Sequence, residues 1–239
     1  MRIDVLGTKF DNVTMEEALA RGEALIEEHA ASYVVTPNPE IVMLCREDAE
    51  TAKAVERASL VIADGIGVLH GARILGTPLK QKLPGIDFTT ALMERMAGKG
   101  QSVFLFGAKP GVAEAAAEKL QKRFPGLVIA GTNDGYFSDD VPIVSKISAA
   151  KPDLLLVCLG APKQEKWMLS HAGAIDVGLM IGNGGSLDVF AGTVERAPEK
   201  WQRAGLEWLY RLAKEPKRLG RMMKLPQFML LVCAQRFKR

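Results

Sequence analysis

The chain has 239 residues, 48% hydrophobic and 25% charged, enough for one large α/β domain or a domain with an extension. Its net charge of +3 hides an asymmetry: residues 196–239 hold 12 Lys/Arg and 3 Asp/Glu, a net of +9, against 19 and 25, a net of −6, in residues 1–195. Cys45, Cys158 and Cys233 lie far apart in apolar runs with no zinc or redox spacing, so buried thiols and a reducing compartment are expected, and neither a signal peptide nor a membrane-spanning apolar run is found.

Short strands are predicted on either side of Gly7. Thr14 and Glu17 form a capping box that opens a helix running to about His29. The β-rich run Ser32–Thr36 stops at Pro37-Asn38-Pro39-Glu40, where two prolines hold the backbone extended. Helices follow from Glu40 to Arg46 and, capped by Asp48, on to Ala58. A strand over Leu60–Ala63 ends at Asp64-Gly65, and a helix spans Gly67–Gly76. After the loop KQKLPGID, Asp87 is expected to cap a helix to Lys99. From residue 102 onward strands and helices alternate, with strands at Ser102–Phe106, Leu127–Ala130, Asp153–Cys158 and Val177–Ile181. That alternation predicts an α/β fold, a mostly parallel sheet with helices on both faces.

Ligands of such sheets sit outside the carboxyl ends of the strands. There the chain places Pro37–Glu40, Asp64-Gly65, Gly107–Gly111, Gly135-Tyr136, Gly160–Glu165 and Gly182–Asp188. In the last of these, Gly182, Asn183, Gly184 and Gly185 form either a backbone N–H cradle for an anion or an ordinary turn, and Ser186 is placed to cap the helix that follows. Asp188 suits either a sugar hydroxyl or a helix cap. Asp64 suits either a general base on a rigid strand end or a cap for the helix after Gly65.

Beyond Arg196 the chain turns basic. Leu206–Glu215 reads as an amphipathic helix, and the apolar run Phe228–Ala234, flanked by cations, suits an interfacial helix. Trp201, Trp208 and Tyr210 fit the aromatic habit of membrane interfaces. The alternative is a tail packed on the core or on another subunit, which leaves a homo-oligomer open.

No Walker A loop, G-x-G-x-x-G, D-x-D or G-x-S-x-G occurs, and His29, His70 and His171 lack metal-site spacing. A nucleotide-dependent oxidoreductase is disfavoured by the missing glycine fingerprint. A basic-tail adaptor for nucleic acid or membrane is the remaining non-enzymatic alternative.

The ordered motifs TPNPE (36–40), ADG (63–65), PGID (84–87), DGYF (134–137), GAPKQE (160–165), GNGGSLDVFAGTVERAP (182–198) and GLEWLYRL (205–212), with the amino-terminal DVLGTKFDNVTMEEAL, span nearly the whole chain. Together they resemble the bacterial TagA/WecG/CpsF glycosyltransferases. The resemblance implies a Rossmann-like core over residues 1–195 and a helical, basic, membrane-docking appendage over 196–239. It implies metal-independent inverting transfer of N-acetylmannosamine, with no cofactor, from a UDP-sugar to N-acetylglucosamine on polyprenyl diphosphate. Relatives that move the uronate, glucose or glucuronate are the alternative. The motif spelling favours the teichoic-acid type.

By the same resemblance, Asp64 is the catalytic base. Thr36, Asn38 and Gln164 line the reaction centre. Gly182–Gly185, Asp188 and Tyr136 face UDP. Arg211, Arg218 and Arg221 reach the diphosphate. Lys82 stands where relatives often carry arginine, which keeps the charge without the bidentate fork. The implied partners are the UDP-sugar, the lipid-linked acceptor and an anionic membrane, with no nucleic acid. The implied location is peripheral, on the cytoplasmic face of the plasma membrane.

Overall fold

A computed structural model describes residues 1–214 and 219–237, except for the side chain of Arg221. The strands are β1 (Arg2–Val5), β2 (Thr8–Asp11), β3 (Ser32–Val35), β4 (Leu60–Val61), β5 (Ser102–Gly107), β6 (Val128–Asn133), β7 (Leu154–Cys158) and β8 (Leu179–Gly182). The helices of the core are α1 (Met15–Glu28), α2 (Pro39–Glu47), α3 (Ala49–Arg57), α4 (Ile66–Ile74), α5 (Gly85–Gly98), α6 (Val112–Arg123), α7 (Val141–Ala150), α8 (Lys163–His171) and α9 (Ser186–Phe190). The basic tail holds α10 (Glu199–Arg203), α11 (Glu207–Lys214), α12 (Leu219–Met222) and α13 (Lys224–Phe237).

β1 and β2 form an antiparallel hairpin. The other strands make one sheet in the order β4-β3-β8-β7-β5-β6, and every pairing in it is parallel. Side chains alternate strictly between its faces. Phe104, Phe106, Leu155, Val157 and Met180 join α2, α3, α4, α7, α8 and α13 on one side. Val103, Leu105, Leu154, Leu156 and Ile181 join α1, α5, α6 and α9 on the other. Burial on both faces explains the near-continuous apolar strands. The expected Rossmann-like α/β architecture is therefore present.

Local details differ from expectation. β6 extends to Asn133, because Phe106 pairs with that residue. β4 keeps only Leu60 and Val61, the two residues with partners on β3. α5 begins at Gly85 after Pro84 without a side-chain cap. Asp87 instead forms a two-pronged pair with Arg196. α9 likewise starts without a side-chain cap, and the Ser186 hydroxyl donates to the Asn183 carbonyl.

The tail returns to the core. α13 packs on α2 and α4 and buries Phe228 and Val232 completely. Gly71 of α4 makes that approach possible, since a Cβ there would lie 2.9 Å from the Phe228 ring. The run expected to lie in an interface thus gives one face to the core, while Leu230 and Phe237 remain exposed. Among the described residues, no helix is long and apolar enough to cross a membrane.

Candidate active site at the carboxyl ends of β3 and β4

Backbone pairing fastens three segments together beyond β3 and β4. The Asp64 N–H donates to the Pro37 carbonyl at 3.1 Å, and the Leu83 N–H to the Ala63 carbonyl at 2.9 Å. Asn38 caps α2 through its side-chain oxygen, which accepts from the Ile41 N–H at 3.0 Å. The first turn after each strand is therefore stiff. Gly85 fits beneath it because a Cβ would meet Asn183 Oδ1 at 2.6 Å and the Thr36 side chain at 3.0 Å.

These segments floor a cleft of about 440 Å³ that the tail roofs. Asn38, Glu40, Asp64, His70 and Lys82 come from the core, and Leu206, Glu207, Trp208 and Arg211 from the tail. Met222, Leu225 and Met229 make one end apolar. Lys82 Nζ also lies 3.5 Å from the Gln202 carbonyl, a further tie between core and tail.

Asp64 is part-buried, and Gly65 begins α4 without a side-chain cap, so Asp64 does not serve as its cap. Burial pushes its carboxyl up to about 6, and the Glu207 carboxylate adds to the rise. Arg211, the Gly85 N–H and Lys82 pull the other way. The result is a carboxylate that is ionised at neutral pH yet basic enough to take a proton.

Thr36 and Gln164 are buried beneath the cleft and are not part of its wall. The Thr36 hydroxyl donates to the Gly182 carbonyl at 3.3 Å. Gln164 Oε1 accepts from the Gly184 N–H at 2.9 Å, while its Nε2 donates to Glu165 at 2.9 Å. Glu165 is fully buried, burial raises its carboxyl above the usual range, and its Oε1 orients Gln164 by accepting from the amide.

The glycine loop is less open than expected. The Asn183, Gly184 and Ser186 N–H groups are bonded to Val157, Gln164 and Asn183 respectively. Asn183 is buried and donates to Thr89 Oγ1 at 2.9 Å. Gly185 is exposed and Asp188 half-buried, with Asp188 Oδ1 3.4 Å from Thr193 Oγ1. Tyr136 is exposed beyond β6. β6 and β4 are opposite edges of the sheet, so at a strand spacing of about 4.8 Å they stand roughly 24 Å apart. The structure thus brings together Asn38, Asp64, Lys82 and Arg211, with Thr36, Gln164 and Asn183 beneath them. Tyr136 lies away from this group. Arg218 and the Arg221 side chain lie outside the described residues.

Three residues of this region escaped the reading of the sequence. Glu207 is four residues before Arg211 and pairs with it at 3.1 Å, a spacing that was legible. Arg196 and Glu165 carry no periodic signal. Among the described residues, no three His, Cys, Asp or Glu side chains gather to hold a metal. Burial pushes the Cys45 and Cys158 thiols up to about 11 and about 12, so neither is a nucleophile near neutrality.

A basic carboxylate on a rigid strand end, facing lysine and arginine across a part-apolar cleft, belongs to enzymes that activate a hydroxyl and stabilise an anion. Residues 3–239 match the glycosyl transferase WecG/TagA/CpsF family. The chain belongs to that family and is a glycosyltransferase. Among curated proteins it is similar to the N-acetylglucosaminyldiphosphoundecaprenol N-acetyl-beta-D-mannosaminyltransferase of Staphylococcus aureus strain MW2, 35% identical over 240 residues. That alignment covers 99% of this chain and 94% of the relative. The protein of the same description from strain NCTC 8325 / PS 47 is likewise 35% identical over 240 residues.

Proposed function

We propose that the protein transfers N-acetylmannosamine from UDP-N-acetylmannosamine to N-acetylglucosamine carried on undecaprenyl diphosphate, without a metal and with inversion. The observation that carries this reading is Asp64. It stands as a poised base in a cleft whose other polar groups are cationic or neutral donors, apart from Glu40 and Glu207. The relatives' printed activity supplies the substrates.

Asp64 takes the proton of the acceptor hydroxyl as its oxygen attacks the anomeric carbon. The bond from that carbon to the UDP oxygen breaks on the opposite face, which inverts the centre. UDP leaves as an anion, and arginines and N–H donors stabilise its charge. The donor nucleotide lies over the ends of β8, β7 and β5, with its sugar toward Asp64. Connections leave β5 and β7 in opposite directions, which opens a crevice there. Gly185, Asp188 and Tyr136 are the nucleotide-side residues of this reading. Arg211, with Arg218 and Arg221, serves the acceptor diphosphate.

Residues 196–239 act as the membrane-docking appendage of the 1–195 core, peripheral on the cytoplasmic face. Their support is the net charge of +9 together with exposed Trp201, Leu206, Trp208, Leu209, Leu219, Met223, Leu230 and Phe237. Each basic residue near an anionic surface adds roughly 1 kcal/mol of attraction.

A panel of UDP-sugars with a synthetic lipid-diphosphate N-acetylglucosamine acceptor tests the reading. UDP-N-acetylmannosamine should give product at the highest kcat/KM, undiminished by EDTA, with the anomeric configuration inverted. Preference for UDP-glucose, or loss of turnover with chelator, would refute the corresponding part.

A further inference from the structure

Four charged groups alternate in sign from the core to the cleft. Asp87 sits in the first turn of α5, Arg196 between α9 and α10, and Glu207 and Arg211 on α11. Arg196 grips both carboxylate oxygens of Asp87, with Nη2 to Oδ2 at 3.0 Å. Its Nε faces Glu207 Oε1 at 3.5 Å, and that same oxygen accepts from Arg211 Nη2 at 3.1 Å.

Position separates this chain of charges from ordinary surface pairs. The Arg196 and Glu207 side chains are only 22% and 21% exposed, whereas the nearby Arg203–Glu199 pair is 78% and 72% exposed. Exposed pairs of that second kind contribute little. A bidentate, part-buried arginine fork fixes geometry as well as charge. It joins positions 109 residues apart, at the point where the core hands over to the tail.

We infer that Arg196 and Glu207 are positioning residues: the relay Asp87–Arg196–Glu207 holds α11 across the cleft and presents Arg211 beside Asp64 to the acceptor's diphosphate. The inference rests on the proposed reaction for its substrate and on the ion pairs for its geometry. Glu207 has a second effect. It is a like charge that raises the Asp64 carboxyl, opposed by Arg211, Lys82 and the Gly85 N–H, with His70 and Glu40 lining the same cleft. Neutralising Glu207 removes a repulsion that raises the proton affinity of Asp64.

Full-length Arg196→Met, Arg196→Lys and Glu207→Gln test the relay by amide hydrogen exchange over residues 199–214 and by steady-state kinetics against pH. Arg196→Met should speed exchange in that segment and raise the acceptor KM tenfold or more, with the UDP-sugar KM changed less than twofold. Arg196→Lys should fall between it and the wild type, since lysine keeps the charge and loses the fork. Glu207→Gln should move the acid limb of kcat/KM down by half a unit or more. Unchanged exchange and acceptor KM in Arg196→Met, or an unmoved acid limb in Glu207→Gln, would overturn the inference. If Arg196→Met does not fold, the two milder variants decide. If the wild type transfers no sugar, the functional reading fails, and the exchange data still decide whether the relay holds α11.

Discussion

Asp64 carries a cost that its position explains. Its carboxyl is raised to about 6, chiefly by burial. The stability associated with its protonated form is complete below the unfolded value near 4 and is lost as pH rises through 6. Asp64→Asn should therefore stabilise the fold at pH 8 by about 1–3 kcal/mol, with no gain at pH 4. Thermal unfolding at the two pH values measures this; an equal or opposite shift at both would contradict it. The place of Asp64 was legible, because a carboxylate directly after an apolar strand stands at the ligand end of a parallel sheet. Its neighbours were not. The bonding of Gly184 N–H to Gln164, which removes a donor from the expected cradle, joins residues brought together only when β7 and β8 pair. The Asp87–Arg196 pair is tertiary in the same sense, and it displaced the capping role expected of Asp87.

Elements were legible where local chemistry decides them. The Thr14 capping box and the Asp48 cap form as read, and the buried strands follow from unbroken apolar runs. Strand lengths were set by partners instead, as β4 and β6 show. The last helix was the hardest to place, because a short apolar run flanked by cations suits a membrane surface and a core face equally well. α13 uses Phe228 and Val232 on the core. Phe228→Ala should cost about 3–5 kcal/mol of docking, as for other buried aromatics. Protease cleavage should then appear first within 224–237 while the sheet stays folded. Cleavage at the wild-type rate would show that α13 does not depend on Phe228.

At the scale of the whole molecule, the chain joins an acidic body to a basic tail whose apolar side chains remain exposed. The charge asymmetry was legible from composition, and the resemblance implied that the tail completes the site with Arg211; the places of Glu207, Trp208 and Met229 in the cleft wall were not legible, since they depend on how the tail packs on the core. Leu219→Glu with Met223→Glu should reduce binding to anionic vesicles about tenfold and leave turnover of a detergent-soluble acceptor within twofold. Cosedimentation unchanged by the double substitution would place the docking surface elsewhere. In the proposed mechanism Asp64 removes the acceptor proton in transfer from a UDP-sugar. A general base of this kind contributes about 10²–10⁴-fold. The most direct measurement is turnover by Asp64→Asn with UDP-N-acetylmannosamine and the lipid-diphosphate acceptor, alongside UDP affinity. Asp64→Asn should lose at least a hundredfold in kcat with UDP binding retained; near-normal kcat would show that Asp64 is not the base.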